Sequence, residues 1–220
     1  MTLTSQKIRI KEINCQLVQM STLVEKQLYA SMLALKNSDT GIVDSIIKED
    51  DKVDELQKVI EEECIKFIAS EQPLAKDLRN VFTATKVVTD LERMADYAID
   101  ICKITKSLNG DSGEFEGDAL SLWVMEEKIR KMIALSIQAY VNINEEDAYT
   151  ICKMDDEIDA LYRTIFESML KNVKLDETRA NKNAQLLFVA KYLERIADHV
   201  TNICEWVIFS KSGNYVDLNE

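Results

Sequence analysis

One proline, Pro73, and five glycines in 220 residues leave few places where a helix could be broken. Helices are the default reading. Histidine is scarcer still: His199 stands alone, and the residue three before it is Ile196. The Glu-x-x-His pairs of ferritin-like di-metal bundles are therefore missing. No apolar run reaches the about 20 residues of a membrane span, and the opening Met1-Thr2-Leu3-Thr4-Ser5-Gln6-Lys7 does not read as a signal peptide. A cytoplasmic protein without membrane insertion is expected. No Gly-rich phosphate loop, Ser-His-Asp set or nucleophilic Cys-His pairing can be assembled.

Positive charge is also short. Lys and Arg number 27 against 39 Asp and Glu, a formal net charge of −12. Nucleic-acid binding depends on neutralising phosphates with a basic face, so direct contact with DNA or RNA is disfavoured, and an anionic membrane surface would repel the chain. Free cations and basic protein surfaces suit it better. The five cysteines, Cys15, Cys64, Cys102, Cys152 and Cys204, are odd in number and show no CxxC spacing. They read as reduced core thiols of an intracellular protein.

What the chain does have is an apolar content of 46%, enough for a substantial core, arranged with helical periodicity. The first helix is expected from about Thr4 to Lys36, and Asn37-Ser38-Asp39-Thr40-Gly41 breaks it. A second should run from Ile42 to Ala69. Pro73, suited to a first helical turn, should open a third that reaches Leu108. Asn109-Gly110-Asp111-Ser112-Gly113 sits at the midpoint and reads as the boundary between halves. A fourth helix follows from Asp118 to Asn142. Asn144 then acts as N-cap, with Glu145, Glu146 and Asp147 as the acidic first turn of a fifth helix to Asn172. A sixth starts near Asp176 and stops around Ser210 to Gly213. The expected division is 1–110, 114–213 and a tail at 214–220.

The halves repeat each other. Leu91 to Cys102 reads LERMADYAIDIC and Leu193 to Cys204 reads LERIADHVTNIC, identical at seven of twelve positions. Earlier in each half, Asp50 and Asp54 match Asp155 and Asp159 on the middle helix. The register between the paired segments differs by three residues, which suggests a shortened corner around Lys174-Leu175-Asp176. Residues four apart stack on one side of a helix, so Glu92, Asp96 and Asp100 form one column and Glu194, Asp198 and Asn202 its counterpart. With Leu91, Ala95, Ala98 and Cys102 facing the core, the column points outward or along a groove. Acidic residues on a wet helix face are ordinary, but like charges at this spacing repel unless something neutralises them, and the arrangement occurs twice. Stacked oxygen donors with almost no nitrogen or sulfur suit hard cations such as Mg²⁺, Ca²⁺, Mn²⁺ or iron. His199, beside Asp198, reads as a partly exposed surface residue.

The segments QPLAKDLR (Gln72 to Arg79), DLERMADYAIDI (Asp90 to Ile101) and YLERIADHVTNI (Tyr192 to Ile203), together with the two Asp-x-x-x-Asp helices, resemble the PhoU family of phosphate-uptake regulators over nearly the full chain. The resemblance implies an all-α fold of two pseudo-symmetric three-helix bundles. It also implies acidic surface motifs that bind a divalent ion or an iron cluster, with iron, Mg, Mn and Zn as candidates. The implied ligands are Asp50, Asp54, Glu92, Asp96 and Asp100 in the first half and Asp155, Asp159, Glu194, Asp198 and Asn202 in the second. Asn202 departs from the pattern by replacing a carboxylate. The implied role is regulatory: repression of phosphate-starvation signalling by contact with a phosphate ABC transporter ATPase subunit and a sensor histidine kinase, with no catalysis. A homodimer is expected. Arg93 and Arg195 read as ion-pair partners within the bundle, and Asp77 and Arg79 as structural residues at the start of the third helix. A carboxylate-bridged metal oxidase and a metal-free helical scaffold stand as the alternatives.

Overall fold

The computed structural model describes residues 3–108, 117–175 and 180–218. Six helices carry the fold: α1 (Leu3–Asn37), α2 (Val43–Glu71), α3 (Ala75–Ser107), α4 (Ser121–Asn142), α5 (Glu145–Leu175) and α6 (Ala180–Ser212), with a 3₁₀ turn at Gly117–Leu120 leading into α4. A helix of 35 residues such as α1 is about 50 Å long. The expected boundary at Asn109 to Gly113 lies outside the described residues, as does Asp176 at the expected start of the sixth helix.

The shortage of glycine shows in how the helices end. A left-handed residue commonly closes a helix, and glycine adopts that conformation most easily. Among the described residues only α6 uses one, Gly213 at φ 79°, whose N–H donates to the Phe209 carbonyl at 2.8 Å. The ends of α1, α2 and α4 turn instead on Ser38, Gln72 and Ile143, at φ 51°, 47° and 50°. Gln72 also explains a departure from expectation. It ends α2 in the left-handed region, Leu74 is extended (φ −69°, ψ 162°), and α3 begins at Ala75, so Pro73 lies in the connection instead of the first helical turn. Asn144 caps α5 as its sequence indicates: its Oδ1 accepts from the N–H groups of Glu146 (3.1 Å) and Asp147 (3.4 Å).

Helices α1, α2 and α3 pack on one another as one bundle, and α4, α5 and α6 as a second. The bundles join through α3 against α6 and α1 against α4. Their interiors merge into one apolar core: Leu17, Leu28, Ile60, Phe67 and Leu91 from the first half and Leu122, Ile129, Ile158, Leu193 and Val200 from the second are all fully buried within it. The described part of the tail is docked. Tyr215 stacks on Phe209 at 4.4 Å between ring centroids, and the Leu218 N–H donates to Glu205 Oε1 at 2.7 Å. Among the cysteines, Cys64, Cys102 and Cys204 are core thiols and Cys152 is half-buried, but Cys15 is exposed, contrary to expectation. No helix among the described residues is long and apolar enough to cross a membrane.

The seam between the bundles carries a polar contact that the sequence conceals. Asp90 on α3 is 8% exposed and lies 2.8 Å from Nδ1 of His199 on α6, while Asn202 Nδ2 donates to it at 3.3 Å. Tyr97 and Tyr192 stack beside it at 5.6 Å. His199 is thus partly exposed, as expected, with 20% of its side chain open, but it is partnered across helices. Buried polar groups that lose a partner are costly, so Asp90→Asn, which keeps the shape but changes the acceptor, should destabilise the protein by about 1 kcal/mol in denaturant unfolding.

Candidate metal-binding grooves

Each bundle sets the acidic residues of its second helix against those of its third. Between α2 and α3, Asp50, Asp54, Glu92 and Asp96 lie close enough to feel one another's charge. Burial holds the Asp50 carboxyl above its ordinary range, the Gln27 amide opposes this by donating to Oδ1 at 2.9 Å, and Asp54 and Asp96 add repulsion. Glu92 is raised by burial first and then by Asp96, with Arg93 working against both and Asp54 and Asp50 adding further repulsion. Between α5 and α6 the corresponding set is Asp155, Asp159, Glu194 and Asp198. Here the effect is larger: burial, followed by the charges of Asp159, Asp198 and Glu194, pushes Asp155 up to about 7. One of its oxygens, Oδ1, is buried without a hydrogen-bond partner. Asp198 is raised as well, by burial and by Glu194, with Arg195 and Lys191 opposing.

Eight of the ten residues singled out in the sequence are therefore gathered, four to a groove. The other two point elsewhere. Asp100 accepts from Lys103 Nζ at 2.7 Å, and its charge is felt by Tyr192 of α6, so it faces the seam between bundles. It lines a 330 Å³ pocket with Arg93, Asp96, Tyr97 and Lys103. Asn202 is engaged by Asp90 on the same seam. The repeated arginines take equivalent places: Arg93 Nη1 lies 3.2 Å from Asp96 Oδ2 and Arg195 Nη1 lies 3.4 Å from Asp198 Oδ2. Lys191 and Arg163 pair with Glu194 and Asp159 at 2.5 and 3.3 Å.

The donor sets fit a hard divalent cation in their chemistry. They are carboxylate oxygens, mutually repelling, with an orphaned oxygen on Asp155. They offer no sulfur or imidazole, which argues against zinc. Among the described residues no three His, Cys, Asp or Glu side chains stand close enough to hold an ion as placed. An arriving cation would have to draw the carboxylates off their arginine and lysine partners. Sequence reasoning missed Asp90, whose signal is its place on the apolar stripe between Val87 and Leu91. It also missed Gln27, which lies on another helix and has no motif to mark it.

Fold and grooves together define a class: an all-α protein of two like three-helix bundles, each with an acidic groove between its second and third helices. The chain belongs to the PhoU family. The PhoU domain model matches it twice, at residues 17–105 and 122–207, once per bundle. It is 44% identical over 212 residues to a phosphate-specific transport system accessory protein PhoU homolog of Clostridium acetobutylicum, covering 96% of each chain. A homolog so named from Streptococcus pneumoniae is 29% identical, with 96% of this chain and 97% of that one covered. Among solved structures, PhoU from Pseudomonas aeruginosa superimposes with a TM-score of 0.87 at 27% identity over 94% of this chain and 99% of that one.

Proposed function

We propose that the protein is a cytoplasmic regulator of phosphate uptake and phosphate-starvation signalling. It acts by contact with the ATPase subunit of a phosphate ABC transporter and with a sensor histidine kinase, and it performs no catalysis. The observation that carries this reading is the similarity to a phosphate transport accessory protein, which covers both bundles. The acidic character fits the mode of action, since a chain of net charge −12 favours basic partner surfaces. Two copies would associate through exposed apolar side chains such as Ile8, Val18 and Val59 on α1 and α2. Affinity capture from phosphate-replete cells tests the reading, with both the transporter ATPase and the kinase expected in the eluate. Absence of both overturns it.

The grooves serve this role as sites for divalent cations, held by Asp50, Asp54, Glu92 and Asp96 on one side and by Asp155, Asp159, Glu194 and Asp198 on the other. A bound ion would supply charge neutralisation and fix α2 against α3 and α5 against α6, which stiffens the surfaces a partner meets. Replacing Glu92 and Asp96 together with alanine should leave helicity nearly unchanged and weaken cation binding in that groove by at least about tenfold. Isothermal titration with Mn²⁺ reads the change. Equal metal content in variant and parent removes the first groove from the assignment.

A further inference from the structure

Although the protein is acidic, several of its cations have no carboxylate partner among the described residues, and three of these gather in one place. Where α3 begins and α4 and α6 end, a 380 Å³ pocket is lined by Lys76, Arg79, Asn142, Ile143, Ser210 and Lys211. Among the described residues none of these three cations has a carboxylate partner, whereas Arg9, Arg93, Arg130, Arg163 and Arg195 all do. Asp77, next to Lys76 in sequence, does not line the pocket.

Arg79 is the strongest observation. Its Nε is buried and lacks a hydrogen-bond partner, an expensive state for a charged donor. Its guanidinium lies beside Gly213, with Cζ 3.7 Å and Nε and Nη1 3.8 Å from where a Cβ would stand. The fork is held in place by packing, with its donors unspent. Lys76 and Arg79 are three apart at the start of α3 and share a side of it. That helix starts at Ala75 with Leu74 as N-cap and no side chain capping it, so backbone N–H groups and the positive helix end add to the same field.

We propose that this pocket binds a tetrahedral oxyanion, phosphate either as the free ion or as the terminal group of a nucleotide. Planar, multidentate donation from Arg79 with two lysine point charges matches several oxygens carrying about two negative charges, and Asn142 adds a neutral amide, while the Ser210 hydroxyl is engaged by Asn80 Oδ1 at 3.3 Å. The pocket lies apart from both acidic grooves and needs no metal. The inference rests on the reading as a phosphate-uptake regulator only for its physiological meaning, since it would let the regulator sense the ion whose entry it controls. The alternative is that the cations merely complement the carbonyl ends of α4 and α6.

Calorimetric titration of the full chain, in the presence of a chelator, decides between them, with orthophosphate in one arm and ATP in the other. Heat in the orthophosphate arm identifies the free ion as ligand, and heat in the ATP arm only identifies the nucleotide. In either case Arg79→Gln should weaken binding by at least about tenfold, with partial recovery in Arg79→Lys, and Glu92→Gln should leave it unchanged. Should Arg79→Gln fail to fold, the exposed pair Lys76→Gln and Lys211→Gln carries the test, with a loss of similar size expected. No heat with either probe, or unaltered affinity in a folded variant, overturns the proposal. Because the readout is binding to the isolated protein, its failure leaves the regulatory reading standing, and failure of the partner capture leaves the pocket standing.

Discussion

Leu91→Ala and Leu193→Ala should each destabilise the protein by about 3 kcal/mol, and calorimetry should still show one transition in both variants. The two leucines open the matching LER segments of the halves, and both are fully buried. Truncation removes about three carbons from a packed interior and leaves a cavity that rigid helices close only in part, so the cost exceeds simple transfer. The single transition follows from the shared core. Leu91 and Leu193 belong to one continuous apolar cluster, and α3, which carries the first, packs on α6, which carries the second. Damage to either repeat is therefore spread over both. Two resolved transitions, with only the mutated half melting early, would show that the bundles fold as independent units and that the seam contributes little.

The helices and the acidic columns were legible because both follow from local chemistry. With one proline and five glycines, the apolar period runs uninterrupted for some thirty residues at a time, and a spacing of four places Glu92 above Asp96 whatever the neighbours are. What periodicity cannot supply is the partner across a groove. Asp100 continues the Glu92 column but is turned to the seam by Lys103, and Asn202 is drawn to Asp90, so the last member of each column leaves its group. The exposure of His199 was legible but its partner, Asp90, was not, because it lies 109 positions away. Pro73 read as a helix opener because its permissive role was visible, but the left-handed turn at Gln72 was not. The cations around Arg79 escaped notice for a related reason. They come from two helices far apart in sequence, and against a net charge of −12 the overall balance gave no hint of a local basic site.

The second groove should make the metal-free protein less stable as pH rises, and Asp155→Asn should abolish most of that dependence. Asp155 titrates near 3.8 when free of its neighbours and at about 7 in the fold, raised by burial and then by Asp159, Asp198 and Glu194. The folded state thus holds its proton more tightly than the unfolded chain, so the stabilisation is complete below the unfolded value and is lost as pH climbs through the folded one. A displacement of that size corresponds to about 4 kcal/mol in a sealed interior, and with the carboxyl open to water on one side about 2 kcal/mol is expected. Denaturant unfolding in chelator at several pH values between about 4 and 8 measures the slope. The asparagine variant should match the parent in acid and exceed it by about 2 kcal/mol at the alkaline end, because a neutral amide cannot acquire the unfavourable charge. Divalent cation added to the parent at the alkaline end should restore what ionisation removed, whereas the variant, lacking that carboxylate, should respond more weakly. A pH slope that is flat in the parent, or unchanged in Asp155→Asn, would mean that the α5 and α6 carboxylates do not crowd one another as their placement requires.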